Sequence, residues 1–121
     1  MKVITHPQVQ YLDLAKVLQA LSDPVRLRLV RMLAAENDLP CGVLCLGRPK
    51  SSMSHHFKIM IDAGLLRVDV VGNIHRNNLR LNDLESRFPG LMTSILRLDD
   101  TTDQEQVKAP KVRKKMPAKS G

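Results

Sequence analysis

Aromatic residues are nearly missing from this sequence: they make up 2% of it, as two phenylalanines and one tyrosine. A core without ring systems has to be filled by Leu, Val, Ile, Met and Ala, and a chain that is 43% hydrophobic has enough of them. Such side chains favour helices packed against one another. Also lacking is any apolar run near the roughly 20 residues that a membrane-spanning helix needs. No signal-peptide-like stretch follows Lys2 in "MKVITHPQVQ". These absences point to a cytoplasmic protein with no membrane partner. Cysteine is scarce: Cys41 and Cys45 are the two thiols, and in a reducing compartment they are expected to be free. There is no glycine-rich phosphate loop, the carboxylates are scattered, and His6 and His75 stand apart from any nucleophile. With no nucleophile and base to pair, the chain is not expected to be an enzyme or to hold a cofactor.

Positive charge is what the chain has in excess. Nineteen Lys and Arg face twelve Asp and Glu, a net charge of +7 and an isoelectric point of about 9.9. Residues 1–98 hold thirteen basic and eight acidic residues, so most of the excess lies in the part expected to fold as one domain. A basic fold calls for a polyanion, of which nucleic acid is the commonest. The remainder, 99–121, reads as a disordered basic tail, because "DDTTDQEQVKAPKVRKKMPAKSG" has too few apolar residues to offset its chain entropy. Lys111, Arg113, Lys114 and Lys115 could attract phosphates without specificity, or the tail could simply be solvated.

Hydrophobic spacing predicts a mainly α fold with a β-hairpin. A first helix is expected from Pro7 to Leu21, with Leu14, Leu18 and Leu21 on its apolar side. In "LSDPVRLRLVRMLAAEN", Ser22 or Asp23 can cap a second helix with Pro24 in its first turn. Val25, Leu29, Met32 and Leu33 would face inward there, and Arg26, Arg28 and Arg31 outward. "CGVLCLG" reads as two helical turns, followed by a tight turn at Gly47-Arg48-Pro49 and a helix from Lys50 to Ala63 stopped by Gly64. Two short helices across a tight turn make a helix-turn-helix. "LLRVDVV" and "IHRNNLRL" flank Gly72-Asn73 as a hairpin. "NDLESRFPGLMTSILRL" starts at an Asn82 cap and is broken at Pro89 into a first turn and a main helix to Leu98.

The stretch "SSMSHHFKIMIDAGLL" places two histidines side by side. At about 100° per residue, Met53, His56, Phe57 and Met60 share one face, while Ser51, Ser54, His55, Lys58 and Asp62 share the other. Neighbours on a helix point apart, so His55 and His56 are not a chelating pair. His56 belongs with the core. The outward face suits DNA: small hydroxyl residues permit close approach, and the start of a second helix is where such motifs meet base edges. Lys50, Ser51, Ser52, Ser54 and His55 are the candidates for bases or adjacent backbone, Arg48 and Lys58 for phosphates. Arg67, His75, Arg76 and Arg80 make the hairpin a basic wing that could hold flanking backbone.

Taken together, "LQALSDPVRLRLVRML", "SSMSHHFKIMIDAGLL" and "VVGNIHRNNLRL" resemble the ArsR-type winged-helix repressors, over roughly residues 10 to 98. The resemblance implies a winged helix-turn-helix, a homodimer joined through the first and last helices, a palindromic double-stranded operator, and repression lifted by an inducer. It puts Ser51, Ser52, Ser54 and His55 on the recognition helix and Arg76 on the wing. Metal sensors of this family carry a Cys-x-Cys-type motif or His and carboxylate ligands on the last helix. Here the thiols are three residues apart and "PGLMTSILRL" has no such ligand. A thiolate site needs three or four ligands, so no metal site is expected.

Cys41 and Cys45 would share a face of a short helix with Cα atoms about 6 Å apart, within disulfide range. Thiol oxidation is therefore one candidate inducer, and two small core residues the plainer alternative. The sequence does not identify the inducer. Two other readings remain: a winged-helix protein-interaction module without specific DNA binding, and a metal-responsive repressor.

Overall fold

The computed structural model describes residues 4–45 and 47–98; the tail that starts at Asp99 lies outside them. The chain enters through a single 3-10 turn at Val9–Tyr11 and then forms α1 (Leu14–Leu21) and α2 (Pro24–Ala35). A two-residue strand β1 (Leu39–Pro40) leads into α3 (Cys41–Leu44) and α4 (Lys50–Ala63). The wing follows as β2 (Leu66–Val71) and β3 (Ile74–Leu79), then α5 (Leu81–Arg87) and a last helix, α6, over 91–98. The strands form one antiparallel sheet in the order β1-β3-β2.

Local chemistry explains most boundaries. Asp23 caps α2 by accepting from the amides of Val25 (2.8 Å) and Arg26 (3.3 Å), with Pro24 in the first turn. Burial alone would raise the Asp23 carboxyl, but those amides outweigh it and hold it below the ordinary aspartate value. α4 ends at Gly64, whose φ of 88° is left-handed, with Leu65 N–H donating to the Met60 carbonyl at 2.9 Å. Pro89 and Gly90 separate α5 from α6. The Glu85 carboxylate then caps α6 from a distance, accepting from Gly90, Met92 and Thr93 at 2.9, 2.9 and 3.1 Å. The Gly90 amide, more than any other group, keeps its carboxyl below the ordinary glutamate value.

The core is aliphatic throughout. Val17, Ala20, Leu29, Val30, Leu33, Leu44, Met53, Met60, Leu65, Leu66, Leu84 and Met92 are buried together, while Phe57 and Phe88 only flank them and Tyr11 stands in solvent. Fixing the turn at Gly72-Asn73 sets the hairpin register: Val71 pairs with Ile74, Val68 with Asn77 and Leu66 with Leu79. Burial alternates at the base of β2 and ends beyond Asp69, leaving Val70, Val71 and Ile74 exposed as the wing leaves the body.

Several expectations need correction. The first helix begins at Leu14, not Pro7, because the backbone is extended at Leu12 and Asp13. That break drops Leu12 into the core against Gly64. The buried face of α1 is Val17, Ala20 and Leu21, whereas Leu14 and Leu18 are 43% and 46% exposed. Arg26, expected outside, is 9% exposed. Val25 and Met32 are only half-buried, and Val30 takes the inner position. α3 is a single turn rather than two. α5 starts after Arg80 rather than at an Asn82 cap, and α6 after Gly90 rather than at Pro89.

Candidate nucleic-acid interface

α3, the turn through Gly47 and α4 form the helix-turn-helix, and the period of α4 decides what leaves it outward. Met53 and Met60 are anchored in the core, so Ser51, Ser54, His55, Lys58 and Asp62 on the opposite arc are exposed. Ser52 is exposed as well, its hydroxyl donating to the Pro49 carbonyl at 3.0 Å. Pro49 offers no side-chain cap to α4. The first amides of this 14-residue helix are thus left for an outside acceptor, where the helix dipole favours an anion. Arg48 and Lys50 stand exposed at that end. Lys58 lies 3.2 Å from Asp62, with side chains 76% and 57% exposed. A pair so solvated contributes at most about 1 kcal/mol, so a phosphate could displace the carboxylate.

The wing bears Arg67 and His75, both exposed, with Arg67 Nε 3.4 Å from Asp69. Arg76 is engaged otherwise. Its Nε and Nη2 fork onto the Asp38 carboxylate at 3.1 and 3.2 Å, and Nη2 also donates to the Asp38 carbonyl at 2.6 Å. That hydrogen bonding holds the Asp38 carboxyl low and raises the Arg76 guanidinium. Arg76 thereby ties the wing to the loop before β1. Arg80 is drawn inward, its Nε 3.0 Å from Asp83 and its side chain 8% exposed, so it does not extend the basic surface of the wing.

His56 faces the body, as its position on α4 suggests. Arg26 Nη1 lies 3.1 Å from His56 Nδ1, and Arg26 Nε donates to the Ala20 carbonyl at 2.8 Å. A guanidinium has only donors, so Nδ1 is the acceptor. Arg26 therefore ties α1, α2 and α4 together from behind.

Two residues that sequence reasoning passed over hold the wing in place. His6 Nε2 accepts from the Val68 amide at 3.0 Å, which attaches the N-terminal segment to β2. Asn77 is fully buried in β3 and donates from Nδ2 to the carbonyls of Leu39 (3.1 Å) and His75 (3.3 Å) and to Cys41 Sγ (3.4 Å). The Asn77 position was recoverable: counting back from a turn at Gly72-Asn73 places it opposite Val68 on the inner face. Nothing local marks His6.

Cys41 and Cys45 are both free and half-buried, at the start and end of one helical turn closed by Cys45 N–H to the Cys41 carbonyl at 3.0 Å. Among the described residues, no three His, Cys, Asp or Glu side chains converge as a metal site would require. Nor is any described helix long and apolar enough to cross a membrane.

Comparison with known proteins agrees with this geometry. The helix-turn-helix domain family matches residues 21–69, from the end of α1 into β2. The arsenical resistance operon repressor of Staphylococcus xylosus is 28% identical over 103 residues, which cover 79% of this chain and 88% of that repressor. The crystal structure of an ArsR family transcriptional regulator superposes with a TM-score of 0.56 at 16% identity, over 84% of this chain and 99% of the other. Helix-turn-helix and wing thus give the chain a winged helix-turn-helix fold. Within that fold it is similar to ArsR-type transcriptional regulators.

Proposed function

We propose that the protein is a dimeric repressor that binds a palindromic operator through α4 and is released by an inducer. The observation that carries this reading is the exposed Ser51, Ser52, Ser54, His55 and Lys58 face on a helix whose first amides are uncapped, beside a basic wing. Lys50, Ser51, Ser52, Ser54 and His55 would approach base edges or adjacent backbone. Arg48 and Lys58 would meet phosphates, with Arg67, His75 and the remaining donor edge of Arg76 on flanking backbone. A dimer would set two such helices in successive major grooves, about 34 Å apart, and so exclude polymerase from an overlapping promoter.

Fluorescence anisotropy with DNA upstream of the gene tests the assignment. Ser54→Ala and His55→Ala should each cost about 1–3 kcal/mol on the specific site and little on random DNA. Lys58→Ala should weaken both alike and reduce the salt slope by about 1. Identical behaviour of the two classes would remove α4 from the reading role. Weak, salt-insensitive binding to every DNA would favour a protein-interaction module.

For the inducer, Cys41 and Cys45 on one turn support thiol oxidation. A disulfide there would strain α3, which positions α4, and mild peroxide should then lower operator affinity at least tenfold in a reversible way. A Cys41→Ser, Cys45→Ser protein that still responds in cells would eliminate this route.

A further inference from the structure

Between α4 and the wing lies an open cleft of about 940 Å³, within the range of small-molecule sites. Phe57 and Ile61 of α4, Ile74 of the wing and Ile4 of the N-terminal segment line it, each at least partly accessible. Phosphates and the polar atoms of base edges gain nothing from such a floor, and of the groups DNA presents only the thymine methyl would use it. The polar groups of the cleft are biased in charge. Lys50 and Lys58 both line it, and the one carboxylate among the described lining residues, Asp62, is already 3.2 Å from Lys58. Two ammonium groups against one carboxylate favour an anion over a cation. A cleft with an apolar floor and a cationic rim matches an amphipathic anion, and no part of this chain among the described residues fills it.

We propose that this cleft binds a small molecule with an apolar body and a single carboxylate or sulfonate, and that this occupancy excludes DNA. The exclusion follows because Lys50, Ser54, Lys58 and His75 line the cleft and are also residues assigned to DNA above. That half rests on the proposed repressor function; binding of the anion does not. Cys41, Cys45 and Asn77 line the same cleft, so an occupant would also adjoin the fully buried Asn77 that joins β1, α3 and β3.

Decanoate is the probe, followed by amide shifts of the full chain in nitrogen–proton spectra, with decylamine as the cationic control. The expected result is saturable shifts centred on Phe57, Ile61 and Ile74, with decylamine ineffective. A Lys50→Gln, Lys58→Gln protein, changed only at exposed positions, should bind decanoate about fivefold or more weakly. Ile61→Asp should abolish the shifts while the rest of the spectrum stays dispersed. Absence of saturable shifts, shifts centred on Tyr11 to Leu18, or equal binding of decylamine would overturn the proposal. Decanoate should also release bound operator DNA, and ternary binding would overturn the exclusion. If no DNA binds at all, the repressor reading fails while the decanoate shifts still decide the site.

Discussion

Arg26 occupies a position where a buried charge is tolerated because its donors are used. One nitrogen serves the Ala20 carbonyl and another His56 Nδ1. Hydrogen bonds from a charged group are worth about 1.5–3 kcal/mol each, and truncation would leave both acceptors unpaired. Arg26→Ala should therefore lower the unfolding free energy by about 2–4 kcal/mol in urea. Arg26→Lys should recover little of it, since an ammonium lacks the planar fork. His6 gives a pH-dependent contact. Burial, and after it the charge of Arg80, push its pKa below the ordinary 6.5, against a smaller pull from Asp69. The ring must be neutral at Nε2 to accept from Val68, and the folded pKa is the lower one. Its contribution is thus full above the ordinary value and is lost as pH falls through the folded value. Protection of the Val68 amide, measured as its hydrogen exchange relative to the intrinsic rate at each pH, should fall on acidification through that window, and His6→Ala should lower it throughout.

At the scale of elements, the meeting of α4 with the chain before α1 is the most constrained point. Gly64 has φ of 88°, and a Cβ on it would run into the Leu12 side chain. The left-handed conformation costs an L-residue about 1–2 kcal/mol, and the collision adds to it. Gly64→Ala should destabilise by more than 2 kcal/mol, roughly. Leu12→Ala removes a fully packed leucine, at about 2–4 kcal/mol. The double variant should be less destabilised than the sum of the singles, because Leu12→Ala also removes the obstacle to the new methyl. Denaturant titration of the four proteins checks the coupling; strict additivity would mean that Leu12 and Gly64 do not meet. The stop at Gly64 was legible from sequence, since a glycine after an apolar helical run is an ordinary left-handed terminator. The break at Leu12 was not, because Tyr11 to Leu21 is as periodic as a continuous helix and only the tertiary contact with Gly64 favours extension there.

For the whole molecule, the exposed side of α1 bears on assembly. Leu14 and Leu18 are 43% and 46% exposed there, and Tyr11 in the turn just before the helix is 73% exposed. Their presence supports the proposed homodimer through the first and last helices. Leu14→Asp combined with Leu18→Asp should shift the sedimentation coefficient from dimer to monomer. It should also reduce affinity for a two-half-site operator to that for a single half-site. Helical circular dichroism should hold, because neither side chain contributes to the buried core. A variant that remains dimeric would place the interface elsewhere.

The sequence by itself determined the order of the helices, the hairpin and the outward face of α4. Aliphatic spacing, Asp23-Pro24, Gly64 and Gly72-Asn73 are local signals, and the helix period alone separates Met53 and Met60 from Ser54, His55 and Lys58. Burial of α1, the inward turn of Arg26, the fork of Arg76 on Asp38, the attachment of His6 and the cleft between α4 and the wing were decided only by tertiary structure. Each joins groups distant in the chain, as Arg76 and Asp38 are by 38 residues. Patterns of period and capping report which side of an element is apolar, but a contact between elements depends on how they pack, and that is settled when the whole core closes.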